Sequence, residues 1–77
     1  MRRSEVEKRF NEINNKMVTA LGMENEEVIR CLTATEEVLK DLPESLLYLF
    51  DEGYFRIYER VIDELIIDSV EKEEGDN

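Results

Sequence analysis

The stretch PESLLYLFDEGYFRIYERVIDELIIDSV, from Pro43 to Val70, is the most apolar part of this chain. It contains all three tyrosines and two of the three phenylalanines of the 77 residues. Residues three and four positions apart share one face of an α-helix. Apolar residues of the stretch follow at such spacings: Leu46, Phe50, Tyr54, Ile57, Val61 and Leu65. The stretch is therefore predicted to be helical and to supply most of the hydrophobic core.

Asp51-Glu52-Gly53 leaves open whether this stretch forms one helix or two. Glycine is favoured just past a helix C-terminus and destabilises a helix interior, so Gly53 indicates an end or a kink. The apolar spacing nevertheless continues through Gly53 without interruption. Both alternatives remain at this point: one helix, or two that meet at Gly53.

Two shorter helices are predicted before this stretch. Ser4 and Glu7 form a capping-box pattern, and apolar residues recur every three or four positions until Gly22, which predicts a first helix from about Glu5 to Leu21. Its other sides are rich in asparagine and glutamate and are expected to be exposed. Asn25 is a favourable N-cap, which predicts a second helix from Glu26 to about Lys40, followed by a turn at 41–43.

These elements predict an all-α fold, a small bundle of three helices, or of four if the last breaks at Gly53. Residues 1–71 would form one domain, with the 43–70 stretch packed centrally, and residues 72–77 an acidic, disordered tail. The apolar arc of the stretch is wider than two thin neighbours would cover, so we expect a homodimer to complete the bundle. The expected interface consists of Tyr48, Phe50, Tyr54, Phe55, Tyr58, Ile62 and Ile66. The alternative is that the tyrosines line the rim of an intramolecular core.

The chain is strongly acidic, with 20 acidic and 10 basic residues and a formal net charge of −10. The excess is not uniform, because residues 1–16 carry five basic and three acidic side chains while residues 17–77 carry five basic and 17 acidic ones. Such a charge argues against binding to nucleic acid or to an anionic membrane, and favours a protein partner with a basic surface. No run is long enough to span a membrane and no signal-peptide pattern is present, so a cytoplasmic location is expected.

Few residues in the sequence point to catalysis or metal binding. There is no histidine, and Cys31 is the only cysteine, so no internal disulfide or imidazole base can form. Glu59 with Asp63, and Glu64 with Asp68, are spaced to share a cation, but the accompanying motifs of helical metalloenzymes are missing. We expect no catalytic, cofactor-binding or metal-binding residues, and interpret the carboxylates as a solvated face.

The sequence thus predicts a small acidic, non-enzymatic protein–protein interaction module, a regulator or inhibitor that docks on a basic protein surface. The alternative is a structural subunit of a larger homo-oligomer, as in phage or scaffold assemblies. A metal-dependent enzyme is the third reading and depends only on the carboxylate pairs.

Overall fold

A computed structural model of the protein describes the backbone of residues 2–75 and the side chains of residues 2–72. Helix α1 spans Arg3–Leu21, helix α2 spans Glu26–Asp41, a short 3₁₀ helix spans Glu44–Leu49, and helix α3 spans Glu52–Gly75. Within these residues the chain forms no strand. The predicted all-α fold, a small bundle whose last segment is divided in two, is confirmed.

Helix α1 is the central element of the bundle, since it packs against α2, α3 and the 3₁₀ helix. Its apolar seam is completely enclosed: Val6, Phe10, Ile13 and Met17 are at most 2% exposed. The prediction that the 43–70 stretch packs centrally is therefore wrong. The narrow seam of α1 can be covered entirely by its neighbours, whereas the wider apolar surface of the later stretch cannot.

Phe10 is the hub of an aromatic cluster that joins α1 to the later stretch. Its ring meets four other rings edge to face, with centroid distances of 5.1 Å to Phe55, 5.3 Å to Tyr58, 5.8 Å to Phe50 and 6.1 Å to Tyr54. Edge-to-face pairs stabilise beyond the area that they bury. The Arg9 guanidinium lies 5.5 Å from the Phe55 ring centroid and covers the cluster from the solvent side.

The apolar stretch is interrupted at Phe50 and Asp51, two residues before Gly53. The Oδ1 atom of Asp51 accepts a hydrogen bond of 2.9 Å from the backbone N–H of Tyr54, which makes Asp51 the N-cap of α3. Gly53 lies in the first turn of α3 and does not end a helix. The two-helix alternative is thus correct, but an acidic N-cap rather than a glycine C-cap produces the break.

This break changes which residues of the stretch face the core. A 3₁₀ helix has three residues per turn, so the apolar spacing of residues 44–49 does not continue in phase into α3. Phe55 and Ile62 are fully buried, whereas Ile57 is 67% exposed and Val61 48% exposed. The single stripe predicted from Leu46 to Leu65 is therefore wrong.

The helix caps predicted from the sequence are confirmed at α2 but not at α1. Asn25 accepts a hydrogen bond of 2.8 Å from the Glu27 backbone N–H, as predicted for an N-cap. The capping box at Ser4 is wrong, because α1 begins at Arg3, two residues earlier than predicted, and Ser4 lies inside it. The guanidinium of Arg3 instead donates to the carbonyls of Leu39 and Leu42, and so ties the start of α1 to the end of α2.

Helix α3 projects beyond the rest of the bundle. After Ile66, the side chains up to residue 72 are exposed except for a half-buried Ser69. The Cα atoms extend over 49 × 22 × 14 Å, so the long axis of the molecule exceeds twice its width. The predicted disordered tail at 72–77 overlaps the end of α3, while residues 76 and 77 lie outside the described part of the chain.

Candidate interaction surface

Helix α3 carries apolar side chains that remain exposed among the residues that the structure describes. Tyr54, Ile57 and Val61 are 39%, 67% and 48% exposed and follow each other three and four positions apart. We refer to these three residues as the outer ridge. At about 100° per residue they point roughly 80° to 160° away from the buried residues Phe55 and Ile62. Half-buried Leu65 continues the ridge by one turn and adjoins the core.

Neither helix formation nor core packing requires Ile57 and Val61, the two most exposed residues of the outer ridge. Isoleucine and valine are β-branched and form helices less readily than the alanine, glutamate or lysine usual at exposed positions. Single exposed apolar residues are common on protein surfaces, but contiguous ones indicate an interaction site. Tyr54 also contacts the core, since its ring centroid lies 4.7 Å from that of Phe50. The N-terminal end of the ridge is therefore held in place by its contact with the core.

Carboxylates border the outer ridge at its C-terminal end. Glu64 and Asp68 are exposed and fall on the same side of α3 as Val61. Arg56 and Arg60 lie on the same helix but point about 100° to 140° away from Val61. Arg60 nevertheless lies three positions after Ile57 and four before Glu64, and so it borders the ridge on its other side.

Basic side chains of α1 are engaged within the molecule. Arg9 pairs with Glu52 at 3.3 Å, and Lys16 pairs with Asp63 at 2.6 Å. The Asp63 carboxylate raises the pKa of Lys16 through this hydrogen bond. Both pairs are exposed to solvent and contribute little to stability. They do, however, place two positive charges of α1 against carboxylates of α3.

A polar chain of hydrogen bonds crosses the core between the three α-helices. Tyr58 Oη donates to Asn14 Oδ1, and Asn14 Nδ2 donates to Thr35 Oγ1 at 3.1 Å. The Thr35 hydroxyl in turn donates to the Leu32 carbonyl at 3.0 Å. Each donor has an acceptor, which is the condition for a buried polar network to be stable. Asn14 is 4% exposed, so the expectation that the asparagines of α1 are exposed fails here.

Burial raises the pKa of Tyr58, a member of this network, and of Cys31. Burial raises the pKa of the Tyr58 phenol to about 12, with smaller contributions from Cys31 and Tyr54, while the hydrogen bond to Asn14 acts in the opposite direction. Burial also raises the pKa of the Cys31 thiol. Both groups are therefore kept protonated at neutral pH, which suits structural roles and not nucleophilic ones.

The seven residues predicted as an interface divide into three groups. Phe50, Phe55 and Ile62 are at most 9% exposed and serve the core of one chain. Tyr58 and Ile66 are half-buried. Tyr48 and Tyr54 remain accessible, at 69% and 39%. The homodimer through these residues stays a prediction. Of the seven, only Tyr48 and Tyr54 expose enough surface to contribute substantially to such an interface.

The apolar spacing in the sequence predicts that Ile57 and Val61 face the core, yet they are the most exposed apolar residues of the outer ridge. Their position depends on the phase of α3, which Asp51 sets. The N-cap preference of aspartate was the available signal, because it would have started a new helix at residue 52.

Metal ligation finds no support in the side chains that the structure describes. Among residues 2–72, no group of three or more cysteine, aspartate or glutamate side chains is arranged to hold a metal ion. Asp63, one of the carboxylates considered for a cation site, is paired with Lys16.

In the part of the chain that the structure describes, no helix combines the length and the apolar character needed to cross a membrane.

Comparison with known proteins adds no assignment. No family model, no curated protein and no solved structure matches this chain.

Proposed function

We propose that this protein is a non-enzymatic protein–protein interaction module that docks on a basic surface of its partner, as a regulator or inhibitor would. The observation that carries the proposal is the outer ridge, a contiguous apolar surface that the bundle leaves uncovered. Buried apolar anchors contribute most of the free energy of binding in protein interfaces. The ridge offers such anchors on a helix whose other side is fixed in the core.

The charge of the molecule supports a basic partner. The net charge is −10, and positive side chains of α1 are already paired with α3. Glu64 and Asp68 stand beside the ridge, where a partner's lysine or arginine side chains can reach them. Electrostatic attraction of this kind raises the association rate and weakens as salt screens it.

Self-association is the second candidate, either as the predicted homodimer or as a subunit of a larger homo-oligomer. The observation that favours it is the spacing of Tyr54, Ile57 and Val61, which would allow two copies of α3 to pack along the ridge. Repulsion between two chains of charge −10 opposes this arrangement at low salt.

The test uses the full chain as bait in a pull-down from source-cell lysate, with two matched double variants. Ile57→Ser with Val61→Ser removes the two most exposed residues of the ridge. Ile67→Ser with Val70→Ser removes one exposed isoleucine and one exposed valine that point about 80° to 180° away from Ile57 and Val61 on α3. Ile67 and Val70 are 54% and 45% exposed, so the two changes are comparable.

The proposal expects a basic protein that is retained by the wild type and the control variant, is released by high salt, and is lost with the ridge variant. Equal retention by all three proteins would contradict the assignment of the ridge. Recovery of only the bait itself, dependent on the ridge, would select self-association instead.

A further inference from the structure

The break between the 3₁₀ helix and α3 is short, and it interrupts an apolar spacing that continues on both sides. Phe50 and Asp51 alone separate the two elements. From residue 44 to residue 75 the chain has no proline, so each residue can take part in a helix. The backbone of Phe50 has a φ of −96°, close to the helical range, and a ψ of 62°, which lies outside it. Rotation at two residues therefore separates two helices from one.

At the start of α3, a side-chain acceptor takes the place of a backbone acceptor. The Tyr54 N–H donates to Asp51 Oδ1 at 2.9 Å, whereas in a continuous helix it would donate to the Phe50 carbonyl. The bond from the Phe55 N–H to the Asp51 carbonyl, at 3.1 Å, already has the helical pattern. Release of the Asp51 cap would thus exchange one acceptor for another and leave the Tyr54 N–H bonded.

Gly53 gives the Asp51 carboxylate the space that the cap needs. The φ of Gly53 is not positive, so the backbone conformation does not require glycine at this position. A Cβ added at Gly53 would lie 3.2 Å from Asp51 Oδ1, closer than most Cβ contacts, and the Tyr54 N–H holds that oxygen in place. Glycine also weakens any helix that runs through the position, in comparison with alanine. Both effects favour the break over a continuous helix.

The broken and the continuous arrangements differ in how much apolar surface they present. In the observed fold Leu47 and Phe50 are 7% and 9% exposed and belong to the core, which makes the broken form the resting one. Leu46 is 40% exposed. In a continuous helix, Leu46 and Phe50 would lie on the same face as the outer ridge, within an arc of about 80°. The ridge would then extend by two turns towards the N-terminus.

We propose that the Asp51 cap is a conformational switch. With the cap formed, the 3₁₀ helix packs on α1 and the ridge consists of Tyr54, Ile57 and Val61. With the cap released, residues 44–75 form one helix, and Leu46 and Phe50 join the ridge. The switch therefore sets the length of the exposed apolar surface. It goes beyond the proposed function and does not depend on what the ridge binds.

Three variants favour the continuous helix, and two others serve as controls. Asp51→Ala removes the cap, Gly53→Ala places a Cβ against the capping oxygen and strengthens the helix, and a double variant combines the two changes. Asp51→Asn keeps a capping side chain and should keep the break. Asn25→Ala removes the cap of α2, but residues 22–25, with a φ of 88° at Gly22, still separate α1 from α2.

Nuclear magnetic resonance of the full, isotope-labelled chain supplies the measurement. The Cα chemical shifts of residues 50 and 51 report whether these residues are helical. Nuclear Overhauser contacts report whether Phe50 still touches Phe10, since the two ring centroids lie 5.8 Å apart in the observed fold. Saturation-transfer experiments detect a minor conformer at a population of about 1%. Helical shifts distinguish a continuous helix from fraying of the 3₁₀ helix, which gives random-coil shifts.

Each single change should raise the ratio of the continuous to the broken form about fivefold, and the double variant should raise it about twenty-fivefold. In the double variant we expect a conformer of at least about 1% with helical shifts at residues 50 and 51 and no contact between Phe10 and Phe50. Asp51→Asn and Asn25→Ala should leave the ratio at its wild-type value.

Absence of this conformer from the double variant would overturn the proposal, as would random-coil shifts at residues 50 and 51. Loss of the folded state in the double variant would also overturn it, because the continuous helix is proposed as a folded alternative. Equal ratios in the double variant and in Asp51→Asn would show that the cap does not control the break.

Discussion

Asn14 makes the polar contacts that join the three α-helices. Its side chain lies in the seam of α1, 4% exposed, and bridges Thr35 of α2 and Tyr58 of α3. A buried asparagine among apolar residues fixes the register of its neighbours, because any sliding of the helices would leave its donors and acceptor without partners. The next residue along the chain, Asn15, is exposed and provides a natural comparison.

Replacement of Asn14 by alanine should therefore lower the free energy of unfolding by about 2 kcal/mol, since Thr35 and Tyr58 lose a buried partner. Asn15→Ala should change it by less than about 0.5 kcal/mol. Urea denaturation of both variants measures the difference. Similar values for the two would show that the network contributes nothing specific.

Tyr58 gives the stability of the fold a dependence on alkaline pH. The folded protein raises the pKa of its phenol to about 12, whereas an unfolded tyrosine titrates near its ordinary value of about 10. Between these values the unfolded chain loses the proton and the folded chain keeps it, so the free energy of unfolding falls as pH rises. Below about pH 10 this contribution is fully present.

The Tyr58→Phe variant should consequently show a smaller loss of stability between about pH 10 and about pH 12 than the wild type does. Tyr48→Phe, at an exposed site, is the control. Urea midpoints across this pH range provide the measurement. The assignment fails if the Tyr58→Phe and wild-type midpoints decline in parallel.

At the scale of single elements, the start of each helix decides which of its faces is buried. Asn25 and Asp51 both bond a backbone N–H with their side chains, and each fixes the first turn of the helix that follows. Asp51 has the larger effect on the fold, because it sets the phase of α3 and thereby turns Phe55 inward and Ile57 outward. Ser4 fits the sequence pattern of an N-cap, but it lies inside α1 and makes no capping hydrogen bond.

Alanine substitutions at these three positions should differ accordingly. Asn25→Ala and Asp51→Ala should each cost about 1 kcal/mol, since each leaves a helix N–H without its partner. Ser4→Ala should be neutral or slightly stabilising, because alanine is the better residue inside a helix. Thermal or urea unfolding measures all three variants. If Ser4→Ala lowered the free energy of unfolding by about 1 kcal/mol, Ser4 would be a cap after all.

At the scale of the whole molecule, the stability of the bundle and its binding surface depend on different residues. Phe10 holds α1 to α3 and to Phe50, the residue that follows the 3₁₀ helix, through one aromatic cluster. Ile57 lies on α3, but its side chain is exposed to solvent. Chains of this size bury a modest share of their surface, so one core contact is a large part of the net stability.

Phe10→Ala should lower the free energy of unfolding by about 3 to 5 kcal/mol and abolish a cooperative transition at room temperature if the native stability is near the low end for small domains. Ile57→Ala should leave stability within about 0.5 kcal/mol of the wild type, because little surface of Ile57 is buried. Circular dichroism against urea concentration compares them. A large loss with Ile57→Ala would mean that the ridge belongs to the core and is no binding surface.

The amino-acid sequence by itself determined the helical class, the approximate ends of α1 and α2, the seam of α1 and the cap at Asn25. These depend on residues close together in the chain, whose spacing and capping chemistry act locally. The tertiary structure alone decided that α1 is central, that Asn14 is buried between Thr35 and Tyr58, and that Ile57 and Val61 face solvent. Apolar spacing shows that a helix has an apolar face but not which part of a wide face meets a neighbour. That choice follows from how α1, α2 and α3 share the available contacts once Asp51 has set the phase of α3.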